Sequence, residues 1–171
     1  IVVDVIDPMI EYLAKNYIDK TIGLIGTKQT VNSNIYRKKL DELGINIQLN
    51  TLATPLLVPL IEEGFIDQTI MTDAIKSYLN ESSLHNLDAL VLGCTHYPLI
   101  KQHIKQFYND ATVILDSTDI VAEVVKNILK ENKLLALSSN DTKKKFYVSD
   151  YTSAFSALAY LFFKMPIKIK R

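Results

Sequence analysis

A single cysteine, Cys94, occurs in 171 residues. That excludes an internal disulfide framework, and no Cys/His spacing of the kind that holds zinc is present. Net charge is missing as well. Nineteen basic residues balance nineteen acidic ones, so the chain carries no electrostatic footprint for nucleic acid. The short basic runs Lys143-Lys144-Lys145 and residues 168–171 read as solvated surface. The longest uncharged apolar stretch, residues 154–163, falls well short of the roughly 20 residues that span a bilayer and reads as a buried helix, so no membrane partner is expected. No internal repeat, basic leader region or cleavage signature stands out. The opening Ile1-Val2-Val3 is read as a chain with an upstream portion missing. A lone thiol fits a reducing, cytoplasmic setting.

What the chain does have is a regular alternation of strand-like and helix-like segments. Residues 1–6 are predicted as a strand, after which Asp7-Pro8 opens a helix with Ile10, Leu13, Ala14 and Tyr17 on one face. Residues 21–25 form the next predicted strand, ending at Gly26-Thr27. Thr30 or Asn32 can cap a helix bearing Ile35, Leu40 and Leu43, stopped by Gly44. A third strand is predicted over 45–49, a short helix over 56–63 stopped by Gly64, and a longer helix over 66–79. The apolar run 88–92 is a buried strand, and Pro98, Leu99, Ile100, Ile104 and Phe107 mark the helix behind it. Residues 112–115 are a strand, Asp116-Ser117 caps a helix containing Ile120, Val124 and Ile128, and 131–142 is a polar linker. Residues 146–148 and 151–163 form a last strand and helix. Such alternation predicts a doubly wound α/β sandwich with a parallel sheet covered on both faces and its strand ends on one rim.

Three strand ends carry the chemistry. The first is Gly93-Cys94-Thr95-His96, a thiol, a hydroxyl and an imidazole at the carboxyl end of a strand, where open α/β sheets bind ligands. A free thiol is only about 3% ionised at neutral pH, and raising that to half requires roughly 2 kcal/mol of preferential stabilisation. A helix N-terminus and a protonated His96 are sufficient sources of that stabilisation; the competing reading of Cys94 is a small buried side chain. The second is Gly26-Thr27-Lys28-Gln29-Thr30. Its hydroxyls lie beside unpaired N–H groups and suit a carboxylate or phosphate, although ordinary helix capping explains the same threonines. Neither the dinucleotide glycine pattern nor a phosphate-loop lysine is present. The third is Pro59-Leu60-Ile61-Glu62-Glu63-Gly64, where one carboxylate is available to a pocket and Glu63 reads as surface. His96 and His103 lie about two helical turns, roughly 10 Å, apart and cannot share a metal from one helix; His85 falls in a polar loop.

These segments resemble the glutamate racemases of the glutamate/aspartate racemase superfamily. The likeness rests on Leu92-Gly93-Cys94-Thr95-His96-Tyr97-Pro98-Leu99-Ile100, on Ile25-Gly26-Thr27-Lys28-Gln29-Thr30-Val31 with Tyr36, and on Leu57-Val58-Pro59-Leu60-Ile61-Glu62-Glu63-Gly64. The Asp116-Ser117 helix and Phe146-Tyr147-Val148-Ser149-Asp150 also fit the family's closing section. The resemblance implies cofactor-independent interconversion of L- and D-glutamate for peptidoglycan synthesis, with no metal, by two thiols that alternate as base and acid on opposite faces of Cα. By that resemblance Cys94 is the second thiol, which deprotonates L-glutamate. His96 and Glu62 are its catalytic support, while Thr27, Thr95, His96 and Thr30 bind substrate.

The same resemblance implies two similar α/β domains, of which 1–110 is the complete second and 111–171 the C-terminal part of the first, with a homodimer as the assembly to test. The family's motif carrying the first thiol is not in this sequence. The chain alone is therefore expected to be inactive, and to expose apolar surface after residue 111. An aspartate or other amino-acid racemase of the same superfamily, and a non-catalytic amino-acid-binding module, are the competing readings. A cysteine hydrolase is a weaker one, because no orienting carboxylate or oxyanion hole is signalled near Cys94 and His96.

Overall fold

The computed structural model describes residues 1–136, 144–149 and 153–170. Its centre is a four-stranded, wholly parallel sheet made of β1 (Thr21–Gly26), β2 (Gln48–Ala53), β3 (Ala89–Gly93) and β4 (Val113–Leu115), in the order β2-β1-β3-β4. The chain winds from β1 outward to β2, then crosses back to place β3 on the other side of β1. The direction of winding thus reverses between β1 and β3, the point at which ligands bind in open α/β sheets. There the two strand ends lie in register, Gly26 opposite Gly93.

Burial follows the two-residue period of the strands. Ile22, Leu24, Leu49, Ala89 and Val91 face one layer, where Met9, Ile10 and Leu13 of α1 (Asp7–Asn16) and Tyr36 and Leu40 of α3 (Ile35–Glu42) pack on them. Ile25, Leu90, Leu92 and Ile114 face the other layer. It is built from α4 (Leu57–Glu62), α5 (Thr69–Leu79) and α6 (Lys101–Phe107), with Leu57, Ile61, Met71, Ile75 and Ile104 buried against the sheet. The predicted sandwich, with a parallel sheet covered on both faces, is the one observed. α7 (Ser117–Glu131) starts from Asp116 as predicted, with the aspartate side chain accepting from Thr118 N–H, and packs on α1. β4 lies past the 110/111 division yet hydrogen-bonds to β3.

Several expected boundaries move, each for a local reason. Residues 1–6 do not form a strand. The Asp4 carboxylate accepts hydrogen bonds from the N–H groups of Ile6 and Asp7, and this turn leads into α1 while Ile1 and Val2 stay exposed. The third strand begins three residues later than predicted. Gly44 takes positive φ, and Ile45 N–H closes α3 on the Leu40 carbonyl, so pairing with β1 starts at Gln48. Thr27, not Thr30 or Asn32, caps the helix after β1. That helix is split into α2 (Lys28–Ser33) and α3 by Asn34, whose φ is 54°. The helix predicted from residue 66 starts at Thr69, with buried Ile66 in the preceding turn.

The stretch 154–163 is a helix as predicted, but among its described side chains only Ala159 is buried. α8 (Ser153–Phe163) lies on the small parallel pair β5 (Phe146–Tyr147) and β6 (Ile169–Lys170) and against α4. Tyr160, Leu161, Phe162 and Phe163 remain 40–54% exposed. The second strand of this pair was not foreseen. Lys144, Lys145, Lys168 and Lys170 are exposed. The linker segment 137–142, Lys143, Asp150, the predicted helix start at 151–152 and Arg171 lie outside the described residues. Among the described residues no helix is long and apolar enough to cross a membrane.

Candidate active site

Glycine makes the site possible at the point where β1 and β3 end. A Cβ on Gly93 would stand 3.0 Å from the Ile25 carbonyl oxygen and 2.8 Å from Leu24 Cδ1, and one on Gly26 would stand 3.2 Å from Thr30 Cβ. Bare backbone therefore lets the two strand ends and the first turn of α2 close together. Thr27 and Thr30 hydrogen-bond to each other at 3.0 Å, and Thr27 Oγ1 accepts from Thr30 N–H at 3.2 Å. This helix-capping pair faces Cys94, Thr95 and His96 across a cleft of about 380 Å³.

The structure brings Thr27, Thr30, Cys94, Thr95 and His96 together on that one cleft. Glu62 does not line it. Its half-exposed carboxylate reaches His96 from the end of α4, with Oε1 3.2 Å from Nε2. The other imidazole nitrogen, Nδ1, lies 3.8 Å from Cys94 Sγ. His96 thus lies between a carboxylate and the thiol, and that carboxylate belongs to Glu62, the residue named beside Cys94 and His96 by the family resemblance. Glu63 and His85 are exposed, as read from sequence. His103 is turned to Asp67 on the far side of α6, with Nε2 3.8 Å from Oδ1.

One sequence expectation about the thiol is corrected. No α-helix begins directly behind Cys94. A 3₁₀ turn, Tyr97–Ile100, comes first, and α6 starts only at Lys101. Burial pushes the Cys94 thiol above its ordinary value; the N–H groups of His96 and Tyr97 pull it down, and the Glu62 charge pushes it up again. The net direction is upward, so in this form the thiol holds its proton.

The sequence alone assigns no site role to the remaining walls, although Tyr36, Val58 and Ser117 fall in the segments that carry the resemblance. Val5 and Ile6, from the segment expected to be a strand, close one side together with Val58. Tyr36, on α3, presents a phenol pushed up to about 12 by burial and then by the charge of Asp4. Ser117 enters from the start of α7. The signal for Ser117 was available: it follows a strand end, as Thr27 and Cys94 do.

The family described as Asp/Glu/Hydantoin racemase matches residues 2–125. A glutamate racemase of Sulfurihydrogenibium sp. is 37% identical over 158 residues, covering 92% of this chain and 58% of the relative. One from Aquifex pyrophilus is 40% identical over 128 residues, covering 75% of this chain and 49% of the relative. Among solved structures, the glutamate racemase of Francisella tularensis in complex with D-glutamate superposes with a TM-score of 0.85 at 32% identity, over 98% of this chain and 62% of that one. A glutamate racemase from Bacillus anthracis gives 0.85 at 31%, over 97% and 62%. The chain spans little more than half the length of the relatives it matches. With the family match running from residue 2, ahead of α1, into α7 and the thiol cleft at the reversal point of the sheet, this chain belongs to the Asp/Glu/hydantoin racemase family.

Proposed function

We propose that this chain carries one of the two proton-transfer faces of a glutamate racemase. The observation that carries the reading is the alignment of Glu62, His96 and Cys94 behind a cleft whose opposite wall is the Thr27–Thr30 pair. With Nε2–H donated to Glu62, the neutral imidazole presents the lone pair of Nδ1 to the thiol. Transfer of the Sγ proton to Nδ1 gives a thiolate facing an imidazolium that Glu62 stabilises from behind. The thiolate then takes the Cα proton of L-glutamate, becoming a thiol again, and the electron pair left on Cα delocalises into the substrate carboxylate. A proton delivered to the other face by a second thiol completes inversion. No cofactor enters this scheme.

Thr27 and Thr95 hold the carboxylate and amino end of the substrate, and Thr30 supports Thr27. The hydroxyls and helix-end N–H groups on that wall suit a carboxylate. The reaction is cytoplasmic and provides D-glutamate for peptidoglycan. The solved relative that carries D-glutamate supports the choice of substrate. Picrophilus torridus aspartate racemase superposes less well, with a TM-score of 0.53 at 26% identity. The test is racemisation by the protein expressed from its full reading frame, followed by chiral chromatography with L-glutamate and L-aspartate in parallel. Turnover of glutamate is the expected result; preference for aspartate refutes the substrate assignment, and no turnover of either refutes the activity.

A further inference from the structure

Tyr97 is fully buried, does not line the cleft, and takes no part in the chemistry above. Its hydroxyl lies 2.6 Å from Thr54 Oγ1 and 3.2 Å from the Thr54 carbonyl oxygen. Thr54, also fully buried, closes the turn after β2. It reaches back to β1, donating to the Gly26 carbonyl through its N–H at 2.9 Å and its hydroxyl at 3.3 Å. With the Thr54 hydroxyl proton directed to Gly26, the Tyr97 O–H donates to Thr54. One phenol therefore ties together the turns after β1, β2 and β3. Those turns lead to Thr27, to α4 with Glu62, and to Cys94 and His96.

The tie acts on the thiol through the backbone. Tyr97 N–H donates to the Cys94 carbonyl at 3.1 Å, closing the turn over residues 94–97, and the N–H groups of His96 and Tyr97 favour the ionised thiol. Anchoring the Tyr97 side chain therefore fixes the turn that carries Cys94 and His96. The hydroxyl itself stays protonated, because burial drives it upward, so it serves as a fixed hydrogen-bond donor.

We propose that Tyr97 is a positioning residue for Cys94: its hydroxyl, donated to Thr54, holds the 94–97 turn so that Sγ stands beside His96 Nδ1. This rests on the reading of Cys94 as the acid–base thiol. The titratable groups around that thiol are His96 on its own turn, Glu62 from α4, Tyr36 from α3 and Tyr97 behind it.

Because Cys94 is the only cysteine in the 171 residues, iodoacetamide alkylation of this chain reads the thiol without requiring turnover. Tyr97→Phe keeps the ring in the core and removes the hydroxyl. Its alkylation pH–rate profile should have a midpoint about half a pH unit or more above wild type, since a group favouring the thiolate has lost its alignment. In the protein from the full reading frame, kcat with L-glutamate should fall about 10-fold or more with KM changed less than about threefold. Thr54→Val should reproduce both effects and Thr54→Ser should restore wild-type values, a pair that keeps the test decisive if Tyr97→Phe does not fold. An unshifted profile in folded Tyr97→Phe, or Thr54→Ser matching Thr54→Val, overturns the positioning role and leaves the racemase reading untouched. Absence of racemisation by the wild type overturns the racemase reading while the alkylation profile still reports on Tyr97.

Discussion

Glu62 Oε1 lies 3.2 Å from His96 Nε2, which brings the last residue of α4 against the turn that follows β3. Since His96 Nδ1 faces the thiol at 3.8 Å, this contact sets which nitrogen carries the proton and which one is free to act on Cys94. Removing either partner should therefore affect the chemistry more than substrate affinity. His96→Asn is expected to lower kcat with L-glutamate by about 10²- to 10⁴-fold, and Glu62→Gln by about 10- to 100-fold. Steady-state kinetics in both directions check this; a Glu62→Gln enzyme with wild-type kcat would remove Glu62 from the supporting set.

The Cys94 thiol, raised by burial and by the Glu62 charge against the pull of two N–H groups, should titrate above the roughly 8.5 of a free thiol. Its iodoacetamide pH–rate profile in the ligand-free chain should have its midpoint on the alkaline side of that value. A midpoint well below it would mean that the thiolate is already formed before substrate binds.

Gly93→Ala should damage both fold and site. The added Cβ meets backbone at Ile25 O and the buried Leu24 side chain, and overpacking of this kind costs about 1–3 kcal/mol. Urea unfolding should show that loss, and alkylation of Cys94 should quicken as the thiol turn is pushed outward. Wild-type stability would show that the strand ends can separate freely.

Asp116 has its side chain 5% exposed and its Oδ2 2.6 Å from Lys101 Nζ, while Oδ1 caps α7. Burial works to raise its pKa, but the Lys101 ammonium and Thr118 outweigh it and hold the carboxyl below 3.8. A depressed carboxyl contributes stability that is fully present above its unfolded value and is lost as pH falls through the lower folded value. Asp116→Ala should therefore cost about 1–3 kcal/mol at pH 7, and the gap to wild type should narrow when urea unfolding is repeated near pH 3. An equal gap at both pH values contradicts the pairing.

The sheet and its two covering layers were legible because the signals were local. Leu24 and Ile25, or Val91 and Leu92, alternate between faces that are both buried, and such strands read as unbroken apolar runs. The cleft was legible for the same reason: Thr27 and Cys94 both follow strand ends, and winding order puts those ends side by side. The sequence misled where a short polar side chain redirected the backbone, as at Asp4, or where a helix end used the first residues of an apparent strand, as at Ile45. The Tyr97–Thr54 bond joins segments far apart in the chain, and no local pattern announces such a contact; Glu62 beside His96 is named only through the family resemblance.

The most direct test of the central claim is wash-in of solvent deuterium at Cα of L-glutamate in D₂O, comparing wild type with Cys94→Ala in the protein from the full reading frame. Wild type should exchange the Cα hydrogen and Cys94→Ala should lose exchange from L-glutamate by about 10³-fold or more. Exchange persisting at the wild-type rate in Cys94→Ala would contradict the assignment of Cys94 as the base that deprotonates this enantiomer.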